Sequence, residues 1–488
     1  MANLLKKGLT KYKNLPTPVR ASLWSMICIG TQKGITLLSM PIFTRLLTRE
    51  QYGVFTVYQS WYTILVIFAT LNLYGGVYNN GLLKYEKRRN EFTSSIQGLS
   101  TTVTFCLFIV YIVAAPFWNS LLKLSTLYVV AMFVEFLCVP AYSYWINREK
   151  FSYRYRKMII TTMIVAFGSP TLGVISVLAT NYKAEARVLS YVFVQVAVGL
   201  FFYIYNASRG KKFFDKEIWK YALWFNIPLI PHYLSYMLLQ QADRIMIDKM
   251  VGRDSAAVYG VAYAIAMMMT IINDAVNSSF TPYTYKALKR RDFKSVGRTS
   301  NMLIILIGVG CVFAMSFSPE IIMVFAERKY YDAIWIMPPV SVSAFFMFMY
   351  SLFCNVEFYY EKNKFVTVAT CTGAAANILL NYIFINLFGY FAAGYTTLAC
   401  YIILAVAHYL FHKRVIRQKK LGIKAIYNVR FMMMCSVIIL AVMVLITFTY
   451  SYFYIRYSII LALVIVAIIK RKWAIGLLKE IKKGKKED

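Results

Sequence analysis

Ala21–Leu47, ASLWSMICIGTQKGITLLSMPIFTRLL, continues into Thr48–Tyr58, TREQYGVFTVY. The run is long enough to cross a bilayer, which takes about 20 mostly apolar residues. Its middle nevertheless holds Thr31-Gln32-Lys33-Gly34. An ammonium group at that depth costs roughly 2.5–3.5 kcal/mol on insertion scales. Lys33 lies midway between Arg20 and Arg45, too deep to snorkel easily to either interface. It is therefore expected to face water inside a helix bundle, with an anionic cargo or an intramembrane acid as its partner. Gly30 and Gly34, four apart, predict a small face for close helix packing.

Composition extends this to the whole chain. Of 488 residues, 59% are hydrophobic and 15% charged, and the mean hydropathy is +0.55. A soluble domain cannot hide that much apolar side chain, so the class is an all-α polytopic membrane protein. A formal net charge of +33 would ordinarily suggest a polyanionic partner. Its distribution gives another explanation, so no nucleic acid is expected. Fourteen apolar segments are predicted, near 21–45, 52–79, 96–116, 125–145, 158–180, 186–206, 220–243, 256–282, 299–324, 333–358, 365–386, 392–412, 428–449 and 452–470. With the N-terminus inside, inner segments carry 41 Lys and Arg and outer loops 11. By the positive-inside rule both termini are expected in the cytoplasm. The first apolar run is too long for a cleavable signal. The eight cysteines include no C-x-x-C pair, so neither a zinc motif nor a disulfide framework is indicated.

The expected organisation is a basic amphipathic segment at 1–20, a six-helix lobe over 21–206 and a second lobe over 207–427. Two further helices at 428–470 and a basic tail at 471–488 complete it. A weak internal echo supports two halves. Arg45-Leu46-Leu47 precedes Tyr52-Gly53-Val54, and Arg244-Ile245-Met246 precedes Tyr259-Gly260-Val261. Such repeats build secondary transporters that work by alternating access.

The run Pro41-Ile42-Phe43-Thr44-Arg45-Leu46-Leu47, with Glu50-Gln51-Tyr52-Gly53, resembles the opening of polysaccharide flippases. These belong to the multidrug/oligosaccharidyl-lipid/polysaccharide exporter superfamily. The resemblance continues through Ile227-Pro228-Leu229-Ile230-Pro231, Gln241-Ala242-Asp243-Arg244, Tyr259-Gly260 and Lys329-Tyr330-Tyr331-Asp332-Ala333 before Pro338. It runs on through Glu361-Lys362-Asn363-Lys364, Asn377, Asn381-Tyr382 and Gly389-Tyr390. It implies a fourteen-helix, two-lobed fold in the bacterial cytoplasmic membrane. It also implies outward movement of undecaprenyl-pyrophosphate-linked oligosaccharide repeat units for O-antigen or capsule. Membrane lipids, and a polysaccharide polymerase with glycosyltransferases, are the further partners it suggests. Two departures stand out: Ala392-Ala393-Gly394 replaces the usual Gly-Ala-Ala order, and the first span has no carboxylate.

Flipping breaks no covalent bond. It needs cations for pyrophosphate, polar or aromatic groups for sugars, and hinges. Lys33 is the leading cation, with Gln32 beside it; Arg45, Arg244 and Lys249 lie near the outer face. Tyr233, Tyr236 and Tyr263 are candidates for stacking on sugar rings. Intramembrane acids can bind a coupling H+ or Na+. The candidates are Glu135, Asp274 and Asp243, the last placed more readily as a structural partner at a helix end, with Glu357 a weaker one. Asn273/Asn277 and Asp274/Ser278 predict adjoining polar stripes on one helix. Pro228 and Pro231 predict a break in span seven and a hinge. His408 and His412 have metal-compatible helical spacing but lack a third ligand, so no metal and no cofactor are expected. A drug or cation antiporter of the same superfamily needs an acid-lined cavity, which Lys33 disfavours. A glycan polymerase or glycosyltransferase needs a sizeable loop or nucleotide-sugar domain, and none is present.

Overall fold

The computed structural model describes residues 17–419 and 426–469. The surface-lying helix expected at 1–20 falls almost wholly outside them, and the tail at 471–488 entirely so. Every regular element among the described residues is helical.

The organising stretch forms α1 (Thr17–Leu46) and α2 (Arg49–Thr70). Thr48 separates them with a capping box. Its hydroxyl accepts from the Gln51 N–H at 3.2 Å, and the Gln51 side chain accepts from the Thr48 N–H at 3.0 Å. The first unit (Met1–Ala257) continues with α3 (Gly76–Lys84), α4 (Arg89–Val113), α5 (Ala115–Leu122), α6 (Thr126–Phe151), α7 (Tyr155–Ala179), α8 (Lys183–Gly210), α9 (Lys216–Asn226) and α10 (Ile230–Met250). The unit boundary falls within α11 (Arg253–Ala266). The second unit (Val258–Asp488) holds α12 (Met269–Lys289), α13 (Phe293–Ser316), α14 (Ser318–Phe325), α15 (Met337–Tyr359), α16 (Asn363–Phe388), α17 (Ala392–Gln418), α18 (Val429–Thr449) and α19 (Phe453–Ile469).

Among the described residues, eleven helical stretches are long and apolar enough to span a membrane. The other expected segments are α1, the pair α9–α10, and α19. Large apolar side chains such as Leu38, Val113, Phe201, Trp224, Leu387 and Phe448 stand exposed on the helices. That surface is stable only against hydrocarbon, where each helix satisfies its own backbone.

Two spans expected to be continuous are broken. The segment 52–79 stops at Thr70, where Leu71 and Asn72 take φ of 50° and 49°, and resumes at Gly76. The segment 256–282 is interrupted between Ala266 and Met269. Met269 there packs against Gly310, which leaves room for its methyl. The Gly30/Gly34 packing face is also corrected: nothing described lies within 4 Å of a Cβ built at either position. Close packing occurs instead at Gly53, where a Cβ would sit 2.5 Å from the Arg253 carbonyl oxygen, so α2 and the start of α11 can touch only through glycine.

Among the described residues of the first unit, two of the apolar centres tie several helices together. Tyr58, Ile67, Met132, Phe136 and Val188 join α2, α6 and α8. Tyr78, Leu82, Phe92, Tyr144 and Ile218 join α3, α4, α6 and α9. α10 packs along α2. In the second unit α15 is buried along most of its length, with α12, α13, α17 and α18 packed on it. Asn273 donates to the Ala344 carbonyl at 2.8 Å and Asn277 to Ser351 Oγ at 3.1 Å. One predicted polar stripe of α12 is thus spent on bolting it to α15.

At the end of the first unit that loop charge assigns to the cytosol, Asp215 caps α9. Its Oδ1 accepts from the N–H groups of Glu217 and Ile218 at 3.0 and 3.2 Å, and its Oδ2 is 2.8 Å from Lys212 Nζ. The Lys212 hydrogen bond, aided by the two N–H groups, holds the Asp215 carboxyl below its ordinary range. A lowered value contributes stability that is complete above the ordinary carboxylate pKa and lost as pH falls through the folded value. Asp215→Ala is expected to cost about 1 kcal/mol locally. The check is faster amide exchange at Glu217 and Ile218 at neutral pH, with the difference from wild type shrinking in acid.

Candidate functional site

The first unit gathers most of the sequence-derived candidates. Lys33 lies 16 residues from the start of α1 and 13 from its end, and its side chain is exposed. At 1.5 Å per residue it is about 24 Å from the start and about 20 Å from the end. Gln32, beside it, is half-buried, and its carbonyl accepts from Thr36 Oγ1 at 3.0 Å. Arg45 is exposed at the last turn of α1 and donates to the Pro41 carbonyl at 3.0 Å. Arg244 is half-buried and donates to Gln241 Oε1, which also accepts from Ser60 Oγ at 3.2 Å. Asp243 is fully buried, and Tyr236 is exposed on α10. In the second unit Asp274 is exposed on α12, while Tyr263 is buried beside Tyr259.

Glu135 lies nine residues from the start of α6 and sixteen from its end, and is fully buried. Tyr58 of α2 donates its hydroxyl to Oε2, while Oε1 is buried without a partner. The surroundings are aromatic: Tyr62 stacks on Phe136 at 5.3 Å, and Tyr58 meets Tyr128 edge-on at 6.4 Å. A carboxylate in such a place is costly unless a proton or cation neutralises it.

Arg187 is a functional candidate that the sequence reading passed over as a loop charge. It sits in the first turns of α8, buried, with its guanidinium carbon 3.8 Å from the Phe43 ring centroid and 3.9 Å from that of Phe55. Two rings thus clamp the cation, an arrangement suited to a planar, weakly hydrated guanidinium. Gly173 makes it possible, since a Cβ there would lie 3.1 Å from Nη1. Nε and Nη1 are buried without hydrogen-bond partners. Phe43 belongs to the Pro41–Leu47 motif, so the signal was visible as an aromatic in the motif but its partner was not.

Span seven breaks where the prolines predict. α9 ends at Asn226, Ile227–Leu229 form one 3₁₀ turn, and α10 starts at Ile230. Asn226 is fully buried and donates to the Leu71 carbonyl, so this break is bolted to the break between α2 and α3. Asn147 donates to the Tyr74 carbonyl at 2.7 Å and braces the same region. Asn226→Leu should leave the Leu71 carbonyl unsatisfied and cost about 1–3 kcal/mol. A lower melting temperature in detergent checks it. An apolar groove of 890 Å³ runs beside α9, lined by Trp219, Leu223 and Trp224 with Lys216 and Lys220. Its basic and aromatic lining suits a membrane interface, and neither Lys33 nor Glu135 lines it.

The fold and these positions define a multi-pass, all-helical membrane protein with charged and polar groups held at membrane depth. Residues 19–288 match the family model described as "Polysaccharide biosynthesis protein", and residues 228–383 match MatE. The chain belongs to the polysaccharide biosynthesis protein family. It is 24% identical over 350 residues to the Lsg locus putative protein 1 of Haemophilus influenzae, spanning 69% of this chain and 84% of that one. Among solved structures, the lipid II flippase MurJ in an inward closed conformation superposes with a TM-score of 0.69 at 14% identity. That match covers 92% of this chain and 99% of the other. An inward-facing multidrug transporter of the MATE family matches with a TM-score of 0.58 at 14% identity, over 81% and 95%. At such identities these two likenesses speak for the fold.

Proposed function

We propose that this protein flips undecaprenyl-pyrophosphate-linked oligosaccharide repeat units from the cytoplasmic to the outer leaflet of the bacterial cytoplasmic membrane. The product would feed O-antigen or capsule assembly. The observation that carries this reading is Lys33, exposed halfway along a 30-residue helix of a chain in the polysaccharide biosynthesis family. A cation kept at that depth serves an anionic passenger, and pyrophosphate is the anionic part of a lipid-linked sugar. Gln32 supplies a neighbouring amide for a sugar hydroxyl, and Tyr236 an exposed ring for stacking. Arg45 and Arg244 receive the phosphates near the outer face. Glu135, with Asp274 and Asp243 as further candidates, carries the H+ or Na+ that couples movement to a gradient. Pro228 and Pro231 mark the hinge for alternating access. No bond is broken, so the protein is a transporter and not an enzyme.

The MatE match over residues 228–383 favours a second reading, a drug or cation antiporter. An exposed lysine at mid-helix and a first span without carboxylates disfavour basic cargo. Reconstituted protein, assayed for flipping of defined pyrophosphate-linked glycans with and without an ion gradient, decides between them. Glycan transfer supports the flippase; transport of organic cations without glycan transfer refutes it.

A further inference from the structure

The second unit holds a buried trio that transport, as proposed, does not use. Cys354 and Glu357 are three residues apart on α15 and share a face. His408 of α17 meets them across the helix–helix seam. Its Nδ1 lies 2.9 Å from Glu357 Oε2 and 3.4 Å from Cys354 Sγ. One sulfur, one nitrogen and one carboxylate oxygen fall within 4.8 Å of one another. Glu357 and His408 are fully buried, and Cys354 is 6% exposed. Tyr350 stacks on the imidazole at 5.4 Å, 22° from parallel, which fixes the ring.

The second carboxylate oxygen, Glu357 Oε1, is buried with no hydrogen-bond partner. An acid–histidine hydrogen bond explains Oε2 and Nδ1. It explains neither the idle oxygen, which costs about 1–3 kcal/mol, nor the thiol packed on the imidazole, 3.4 Å from Nδ1 and 3.6 Å from Nε2. A divalent ion engages the thiol and, where the carboxylate grips it through both oxygens, the idle oxygen as well. Tetrahedral bonds of about 2.0–2.3 Å to N, O and S put neighbouring ligand atoms roughly 3.3–3.6 Å apart. The sulfur–nitrogen separation already matches, and the nitrogen–oxygen one needs to open by only a few tenths of an ångström. Charge also balances: a thiolate and a carboxylate neutralise a dication while the imidazole stays neutral, so the seam gains no net charge.

We propose that Cys354 Sγ, the Glu357 carboxylate and His408 Nδ1 form a binding site for a borderline-soft divalent metal ion of the Zn2+ type. Its fourth position is left for water. Thiolate and imidazole select against Mg2+ and Ca2+, which take oxygen ligands. The bound ion would staple α15 to α17. His412, the expected companion of His408, belongs to a different contact: it lies 5.3 Å from the Phe353 ring and 5.4 Å from that of Tyr427.

The test is a Co2+ titration of the full chain in detergent, with its affinity tag removed and adventitious metal stripped by chelator. One Co2+ per chain should bind, with the visible bands of a tetrahedral site and a near-ultraviolet thiolate-to-cobalt charge-transfer band. Zn2+ should displace it. Cys354→Ser should abolish the charge-transfer band, while Cys311→Ser, on α13, should keep it. Glu357→Gln should weaken binding about tenfold or more. A wild-type titration without these bands, or bands that survive Cys354→Ser, overturns the site and leaves an acid–histidine pair beside an inert thiol. The wild-type result decides the matter even if a variant folds poorly, and it is independent of flipping activity.

Discussion

Lys33→Ala is expected to insert and fold normally while surface glycan display and reconstituted flipping collapse. A charge-assisted hydrogen bond to phosphate contributes about 1.5–3 kcal/mol, which converts to roughly a ten- to hundredfold loss of rate. Folding should be spared because the side chain is exposed and fills no core, and the helix gains a residue of better propensity. Lys33→Arg keeps the positive charge and should retain a substantial part of the activity; Lys33→Gln should behave like alanine. Normal display in Lys33→Ala removes this residue from the mechanism. Arg187→Met offers a useful contrast. It preserves bulk between Phe43 and Phe55 but deletes the clamped cation, and its cost should fall on the outer step if Arg187 helps release the passenger.

Glu135→Gln is expected to uncouple transport from the ion gradient. Glutamine has the same shape and can still accept from Tyr58, so the helix contact between α2 and α6 survives. What it cannot do is gain and lose a proton or hold a cation with a full charge. Flipping driven by an imposed gradient should therefore fall to the gradient-free rate, roughly tenfold or more if the coupling is worth over about 1.4 kcal/mol. Tyr58→Phe is the companion variant. It deprives a fully buried carboxyl of its donor, and the penalty of an unsatisfied charged group, about 1–3 kcal/mol or more, should appear as a lower melting temperature. Asp274→Asn provides the comparison in the second unit, where the residue is exposed. Unchanged gradient dependence in both acid variants rules out both acids.

Much of the fold was legible because hydrocarbon is a simple solvent. It demands long apolar helices, and it punishes charge so strongly that Lys33 and Glu135 announce themselves in any reading of the chain. The prolines at 228 and 231 were equally readable, since a missing N–H and a ring clash act locally. The break after Thr70 was not. Nothing in Leu71-Asn72-Leu73-Tyr74 forbids a helix; the local signal is the Gly75-Gly76 pair that ends the break, and the bend is held from a distance by Asn226 and Asn147. Likewise, Gly30 and Gly34 read as a contact face, yet a Cβ at either meets nothing described within 4 Å, while Gly53 and Gly173 are among the glycines that permit close approaches.

The amino-acid sequence by itself determined the class, the helical spans, the likeness to flippases and the presence of a cation at membrane depth. Those properties follow from local composition and the cost of burying charge. Only the tertiary structure decided which polar groups meet. It set Tyr58 on Glu135, closed two phenyl rings over Arg187, and brought His408 to Glu357 and Cys354 across 51 and 54 residues of chain. Helical periodicity specifies the face a residue occupies; which helix lies against that face is set by packing of the whole bundle, and no local pattern encodes it.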